Sequence, residues 1–110
     1  MTENRGHVLL QQIGDAQNAR DDAELAYDEA RRMHELVHGT LLLTLAEDHA
    51  EQTRAWYDAR LKVEAGTRGT ALYDAVDRLH QAKRLHLRAV SQFWVMKHAW
   101  DEYSRMGVTP

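Results

Sequence analysis

The 110-residue chain contains no cysteine, and its single proline, Pro110, is the last residue. The lack of cysteine excludes disulfides, thiolate metal sites and cysteine nucleophiles. A chain without internal proline that is rich in Ala, Leu, Arg, Glu and Asp is typical of an all-α protein. The longest apolar run, within residues 41–46, is too short to span a bilayer, and the N-terminus leads into no signal peptide. We therefore expect a cytoplasmic protein without a membrane segment.

The charge balance favours no partner as a whole, but its distribution is uneven. The formal net charge is −3 at pH 7. Residues 1–55 carry eleven acidic and five basic side chains, whereas residues 56–110 carry six acidic and nine basic ones. No acidic residue lies between Asp77 and Asp101. An acidic first half and a basic second half favour charge pairing between two antiparallel helices, or contact with an acidic partner.

Three helices are predicted within a single domain of residues 1–110, over about 7–38, 41–64 and 71–105. Gly39 could end the first helix, kink it or be absorbed into it, since a mid-helix glycine costs on the order of 1 kcal/mol relative to alanine. Asp48 is a candidate N-cap for the second helix. The stretch 65–70 has two glycines and two threonines, which predicts a loop with Thr70 as the N-cap of the last helix. Gly107 and Pro110 are expected to end that helix.

Both long helices carry heptad-like apolar patterns. In the first helix, the residues that recur every seven positions are Leu9, Ala16, Ala23, Ala30 and Val37. The neighbouring rows contain Ile13, Ala26, Tyr27 and Met33. In the last helix, the apolar residues of the pattern are Leu72, Ala75, Val76, Leu79, Ala82, Ala89, Val90, Phe93, Met96, Trp100 and Tyr103. These patterns predict a long antiparallel helical hairpin or three-helix arrangement. Because two helices of about 30 residues cannot bury so many apolar side chains alone, we expect a coiled-coil-like bundle completed by a homo-oligomer.

The aromatic end of the last helix is the predicted interaction segment. Its candidate residues are Phe93, Trp94, Val95, Met96, Trp100 and Tyr103. Phe93, Met96 and Trp100 suit the hairpin core, whereas Trp94 and Val95 point elsewhere. A helix that is apolar nearly all round is usually buried on more than one side. Self-association, a different protein partner and simple core packing all remain open for this segment.

A five-residue stretch, His34-Glu35-Leu36-Val37-His38, spells H-E-x-x-H. On a helix, His34 and His38 share a face and could hold one zinc ion, with Glu35 activating a water. The context does not suit a protease: no strand precedes the motif, Thr44 stands where a third histidine ligand is required, and Glu64 is only a formal glutamate ligand. We interpret the histidines as residues beside a helix seam.

A di-iron centre is the second metal hypothesis. Bundles of this kind use Glu-x-x-His from two helices. Glu35 with His38 fits that spacing, and Asp77 with His80 fits it loosely. The heptad pattern points Glu35, Asp77 and His80 largely outward, so solvated helix faces are the simpler interpretation. No cofactor is therefore predicted, with zinc or iron as the alternatives to exclude.

The basic stretch of the last helix is a candidate nucleic-acid contact. Its residues are Arg78, Lys83, Arg84 and Arg88, followed by tryptophans that could stack on bases. No motif of known docking geometry accompanies them. The competing interpretation is that these cations pair with the acidic first helix.

The chain resembles small α-helical proteins of unknown function encoded by phage and prophage genomes. The resemblance lies in an Ala- and Tyr-rich first helix (residues 26–31), a charged middle segment (47–60) and an Arg-rich last helix that ends in aromatics. It implies an accessory role near phage replication or recombination, and it assigns no functional residue.

The sequence as a whole favours a non-enzymatic factor over an enzyme, because no convincing catalytic set is present. We expect it to act by protein interaction as a homo-oligomer. The alternatives are a nucleic-acid-binding accessory protein and a metal-binding protein.

Overall fold

The computed structural model describes residues 5–106, which form three α-helices. Helix α1 is Arg5–Asp48, α2 is Arg54–Gly66 and α3 is Ala71–Arg105. No strand occurs within these described residues. Helix α1 packs mainly against α3, which confirms the predicted all-α hairpin arrangement. The predicted helix-ending residues Gly107 and Pro110 lie outside the described part of the chain.

Helix α1 runs through Gly39 without a break, so the structure differs from the predicted boundary at residues 38–41. Val37 and Leu41, on either side of the glycine, pack against the buried cluster of Leu45, Leu61 and Leu72. This packing offsets the intrinsic cost of a helical glycine. The leucines after Gly39 therefore belong to the first helix rather than to the second.

The turn between α1 and α2 is capped by Thr53, not by Asp48, which is the last residue of α1. The backbone N–H of Trp56 donates to Thr53 Oγ1 at 3.2 Å, as expected of an N-cap. The Tyr57 hydroxyl donates to the carbonyl oxygen of His49, and the His49 ring lies 4.8 Å from the Trp56 ring between centroids. These contacts tie the turn to the start of α2.

The second turn contains the N-cap predicted for the last helix. The backbone N–H of Tyr73 donates to Thr70 Oγ1 at 3.1 Å, and the Thr70 hydroxyl donates to the carbonyl oxygen of Glu64 at 2.6 Å. Thr70 thus joins the end of α2 to the start of α3. Gly69 has a φ of +90°, a conformation that favours glycine because it has no Cβ.

The chain contains two compact units. The three-helix unit is Ala26–Lys83. Its core consists of Leu45 from α1, Leu61 from α2 and Leu72 from α3. Partly buried apolar residues surround these leucines: Val37, Leu41, Trp56, Tyr57, Ala65 and Val76.

The two-helix unit joins the described residues 5–25 of α1 to residues 84–106 of α3. Leu9 is its buried apolar residue among those described. Gly6 lies against the ring of Tyr103, since a Cβ built on the glycine would be 3.1 Å from Tyr103 Cε1. The guanidinium of Arg20 lies over the ring of Phe93, 4.1 Å from its centroid. Antiparallel helices thus make close contacts near both ends of this unit.

Apolar burial is sparse in the described part of the chain. Only Leu9, Leu45, Leu61, Leu72 and Ala75 are buried hydrophobic residues there. All the predicted apolar positions of α3 are at least partly buried, whereas Ala26 and Met33 of α1 are exposed. None of the described helices combines the length and the apolar character needed to cross a membrane.

Candidate interaction surface

The aromatic end of α3 divides between two faces of the helix. Phe93, Met96, Trp100 and Tyr103 are partly buried. Trp94 and Val95 remain 54% and 58% exposed. Since successive residues of an α-helix are about 100° apart, adjacent positions such as 93 and 94 cannot share the narrow face that meets α1. The predicted interaction residues are therefore not a single surface: four contribute to packing and two to the outside.

Leu87 extends the exposed apolar surface by two turns. It is 58% exposed and lies seven residues before Trp94, so the two side chains share a face of α3. The sequence pattern singled out Trp94 and Val95 but missed Leu87. The signal that could have found it is the seven-residue interval, because 87 and 94 form a second apolar row beside the main one.

We call this second row the outer stripe. It consists of Leu87, Ser91, Trp94, Val95, His98 and Asp101. Five of these six residues, all but Leu87, line one shallow groove together with Lys97. The ammonium of Lys97 lies 5.0 Å from the centroid of the Trp94 indole, within the range of a cation–π contact. The outer stripe is thus an amphipathic surface with an apolar centre.

Charges flank the apolar centre in a definite order. Arg84 and Arg88 precede it along α3, whereas Asp101 and Glu102 follow it. Glu102 lies 3.7 Å from His98 Nε2, between side chains that are both mostly exposed. Among the described residues, Arg84, Arg88 and Asp101 have no ion-pair partner within 4.0 Å. These charges are available to a partner.

The four cations predicted to contact nucleic acid do not line up on one face. Arg78 borders a groove of the three-helix unit with Ala75 and Ala82, opposite Ala26 and Ala30. Arg88 borders a groove of the two-helix unit that also contains Asp15 of α1. Lys83 and Arg84 are both exposed, but as sequence neighbours they point about 100° apart. The arrangement surrounds the helix with charge rather than forming a stripe.

The structure brings together two of the three residues of the predicted metal site. His34 and His38 are both partly buried, and their ring centroids are 5.9 Å apart. Glu35 is exposed, and Glu64, the formal third ligand, lies 3.6 Å from Arg60. Within residues 5–106, no group of three His, Asp or Glu side chains is placed to hold a metal ion.

Asp77 and His80, the candidate di-iron ligands of α3, lie on the outward side of the helix, as the heptad pattern indicated. Asp77 is exposed and accepts a hydrogen bond from Gln81 Nε2 at 2.9 Å. His80 is also exposed. Both belong to the solvated side of α3.

Comparison of the chain with protein-family models, curated proteins and solved structures found no match.

Proposed function

We propose that this chain is a non-enzymatic helical interaction factor that acts as a homo-oligomer. One observation carries the proposal: Leu87, Trp94 and Val95 are large apolar side chains on the outer side of α3 that the fold leaves more than half exposed, and Trp94 and Val95 line one groove. Scattered exposed apolar residues are normal on a protein surface, but contiguous ones indicate an interaction site. Tryptophan in particular is enriched at the anchors of protein interfaces.

The small core supports the same proposal. In residues 5–106, five hydrophobic residues are buried and thirteen large ones are exposed. Because a folded chain gains most of its stability from apolar burial, association that covers more of this surface would stabilise the fold. Obligate oligomers commonly share one core in this way.

The free energies of apolar burial and of association indicate that the dimer has a moderate affinity. Fully burying one large apolar side chain contributes about 1.5–3 kcal/mol, and the three residues of the row are already about half buried, so each would add roughly 1 kcal/mol. Six such side chains in a dimer would supply roughly 6 kcal/mol against an association cost of about 4–15 kcal/mol. A micromolar dissociation constant requires a net gain of about 8 kcal/mol, so these three side chains are not sufficient and a dimer in that range needs further contacts.

The resemblance to small helical proteins of phage and prophage genomes is in keeping with an accessory or regulatory role.

The mass of the untagged chain in solution tests the proposal. Sedimentation equilibrium or light scattering from 1 to 100 µM is expected to give about twice the 12.7 kDa of one chain at the upper end, with dissociation on dilution. A mass of one chain at every concentration would overturn the proposal.

The nucleic-acid alternative has its own test. A gel shift with single- and double-stranded DNA over a salt series is expected to show no binding, because the cations of α3 are spread around the helix. A shift at low salt that weakens as salt rises would favour the alternative.

A further inference from the structure

We infer that the outer stripe of α3 is the interface with a second copy of this chain, packed antiparallel about a two-fold axis near Trp94 and Val95. The inference rests on the proposed self-association and adds the surface, the orientation and the register. It uses only residues of the two-helix unit.

The apolar centre of the stripe suits helix-on-helix packing. Leu87 and Trp94 are separated by one heptad, and the small Ser91 lies on the turn between them. Large side chains separated by a small one form the knobs and holes by which two helices interdigitate. With the axis near Trp94 and Val95, these two residues of one copy would lie close to the same two residues of the other, and Ser91 would lie level with His98.

The order of charges selects the antiparallel orientation. Two parallel copies would bring Arg84 against Arg84, Arg88 against Arg88 and Asp101 against Asp101, so that only like charges meet. Two antiparallel copies bring the arginines of one copy towards Asp101 and Glu102 of the other, at both ends of the interface. Arg105, in the last turn of α3, also approaches Arg84 of the second copy, but a long side chain at a helix end can turn into solvent.

The position of the charges also fixes the register. Trp94 and Val95 lie midway between Arg88 and Asp101 along α3, so a two-fold axis at this point aligns Arg88 of one copy with Asp101 of the other. Exposed ion pairs contribute only about 0.2–1 kcal/mol each, so they set orientation while the apolar centre supplies most of the affinity. A surface that is complementary to itself closes at two copies.

Charge also favours a second copy over nucleic acid as the occupant. A phosphate backbone laid along the stripe would approach the arginines but would also meet Asp101 and Glu102 at the other end. The same two acidic residues complement the arginines of an antiparallel copy. The stripe therefore matches itself better than it matches a uniformly negative polymer.

Substitutions that remove apolar surface test where the interface lies. Leu87→Ser together with Trp94→Ser is expected to raise the dimer dissociation constant at least tenfold, as measured by sedimentation equilibrium. Leu36→Ser is the matched control, because Leu36 is 63% exposed on α1 and lies outside the stripe. Circular dichroism verifies that both variants keep their helix content, which is expected because all three side chains are exposed.

Cross-linking tests the orientation, since the chain has no cysteine of its own. Val95→Cys is expected to form a disulfide between two copies under mild oxidation. Arg84→Cys is not, because in the antiparallel register the two positions 84 lie about 30 Å apart along the helix axis. A parallel pair would link at both positions.

Charge exchange completes the test. Arg84→Glu with Arg88→Glu is expected to weaken the dimer several-fold, and adding Asp101→Lys and Glu102→Lys to the same chain is expected to restore it. This rescue distinguishes an interface from a general loss of stability.

The outcomes separate the two proposals. A monomeric wild-type protein overturns both self-association and the assigned interface. A wild-type dimer that tolerates Leu87→Ser with Trp94→Ser overturns the interface alone and leaves self-association standing. An efficient disulfide at position 84 overturns the antiparallel orientation.

Discussion

At the scale of single residues, Arg20 shows how a charged side chain occupies an apolar row. It stands seven residues after Ile13 and seven before Tyr27, and its side chain is 28% exposed. Its guanidinium covers the ring of Phe93. Arginine can bury its stem and stack its planar head on an aromatic ring while remaining partly hydrated. A heptad pattern defined by apolar residues alone therefore does not include Arg20.

Gly39 is the residue at which sequence reasoning left three outcomes open. A Cβ built there meets no atom within 4 Å. Gly39→Ala is therefore expected to stabilise the protein by about 0.5–1 kcal/mol, because alanine loses less backbone entropy when the helix forms. Urea unfolding followed by circular dichroism measures the change.

Two other helical glycines serve as controls for Gly39. Gly14 is equally open, so Gly14→Ala is expected to give a similar gain. Gly6→Ala would bring its Cβ to 3.1 Å from the Tyr103 ring, and the gain is expected to shrink or reverse. A loss of stability in Gly39→Ala would contradict the open surroundings seen around this residue.

At the scale of elements, α2 depends on one buried residue and on its two turns. Leu61 is the residue of α2 that is buried, between Leu45 of α1 and Leu72 of α3. Thr53 caps the first turn of α2, and the Thr70 hydroxyl donates to the carbonyl oxygen of Glu64 in its last turn. A helix of 13 residues is marginal by itself in water, so packing through Leu61 holds it in place.

Leu61→Ala is expected to destabilise the protein by about 2–5 kcal/mol, because it leaves a cavity in the three-helix core. Val63→Ala, on the same helix, is the matched control: Val63 is 56% exposed, and the expected cost is below about 0.5 kcal/mol. Chemical unfolding of both variants makes the comparison. Equal losses at positions 61 and 63 would contradict the assigned core.

At the scale of the whole molecule, the two compact units differ in how much they bury. The three-helix unit contains Leu45, Leu61, Leu72 and Ala75, whereas Leu9 is the buried hydrophobic residue described in the two-helix unit. Local stability follows local burial, since openings occur where few apolar contacts must be broken. The unit with the smaller core is also the one that carries the outer stripe.

This difference predicts a pattern of hydrogen exchange. In dilute solution, amides of residues 5–25 and 84–106 are expected to exchange faster than those of the three-helix core near Leu45 and Leu72. At concentrations that favour the dimer, exchange is expected to slow chiefly within residues 84–106. Mass spectrometry of peptides from both regions measures the effect. Uniform slowing over the chain, or none in α3, would contradict the proposed interface.

The candidate site was predictable in part. The surplus of apolar residues at 93–96 indicated that Trp94 and Val95 face away from the core, because adjacent residues of a helix cannot all face one partner. Leu87 was missed, because its row is a second pattern interleaved with the stronger one. The nearness of His34 and His38 followed from their spacing, whereas the positions of possible third ligands depended on contacts far apart in sequence.

The sequence by itself determined the helical class, the two apolar rows and the Thr70 cap, since these depend on local hydrogen bonding and on a period of about 3.6 residues. Only the tertiary structure decided that α1 continues through Gly39 and that Thr53, not Asp48, caps α2. Those outcomes depend on how Leu41 and Leu45 pack against α2 and α3, and a helix continues where such packing outweighs the cost of one glycine. Which apolar residues of α3 remain outside was likewise decided by packing, because burial depends on what lies opposite each face.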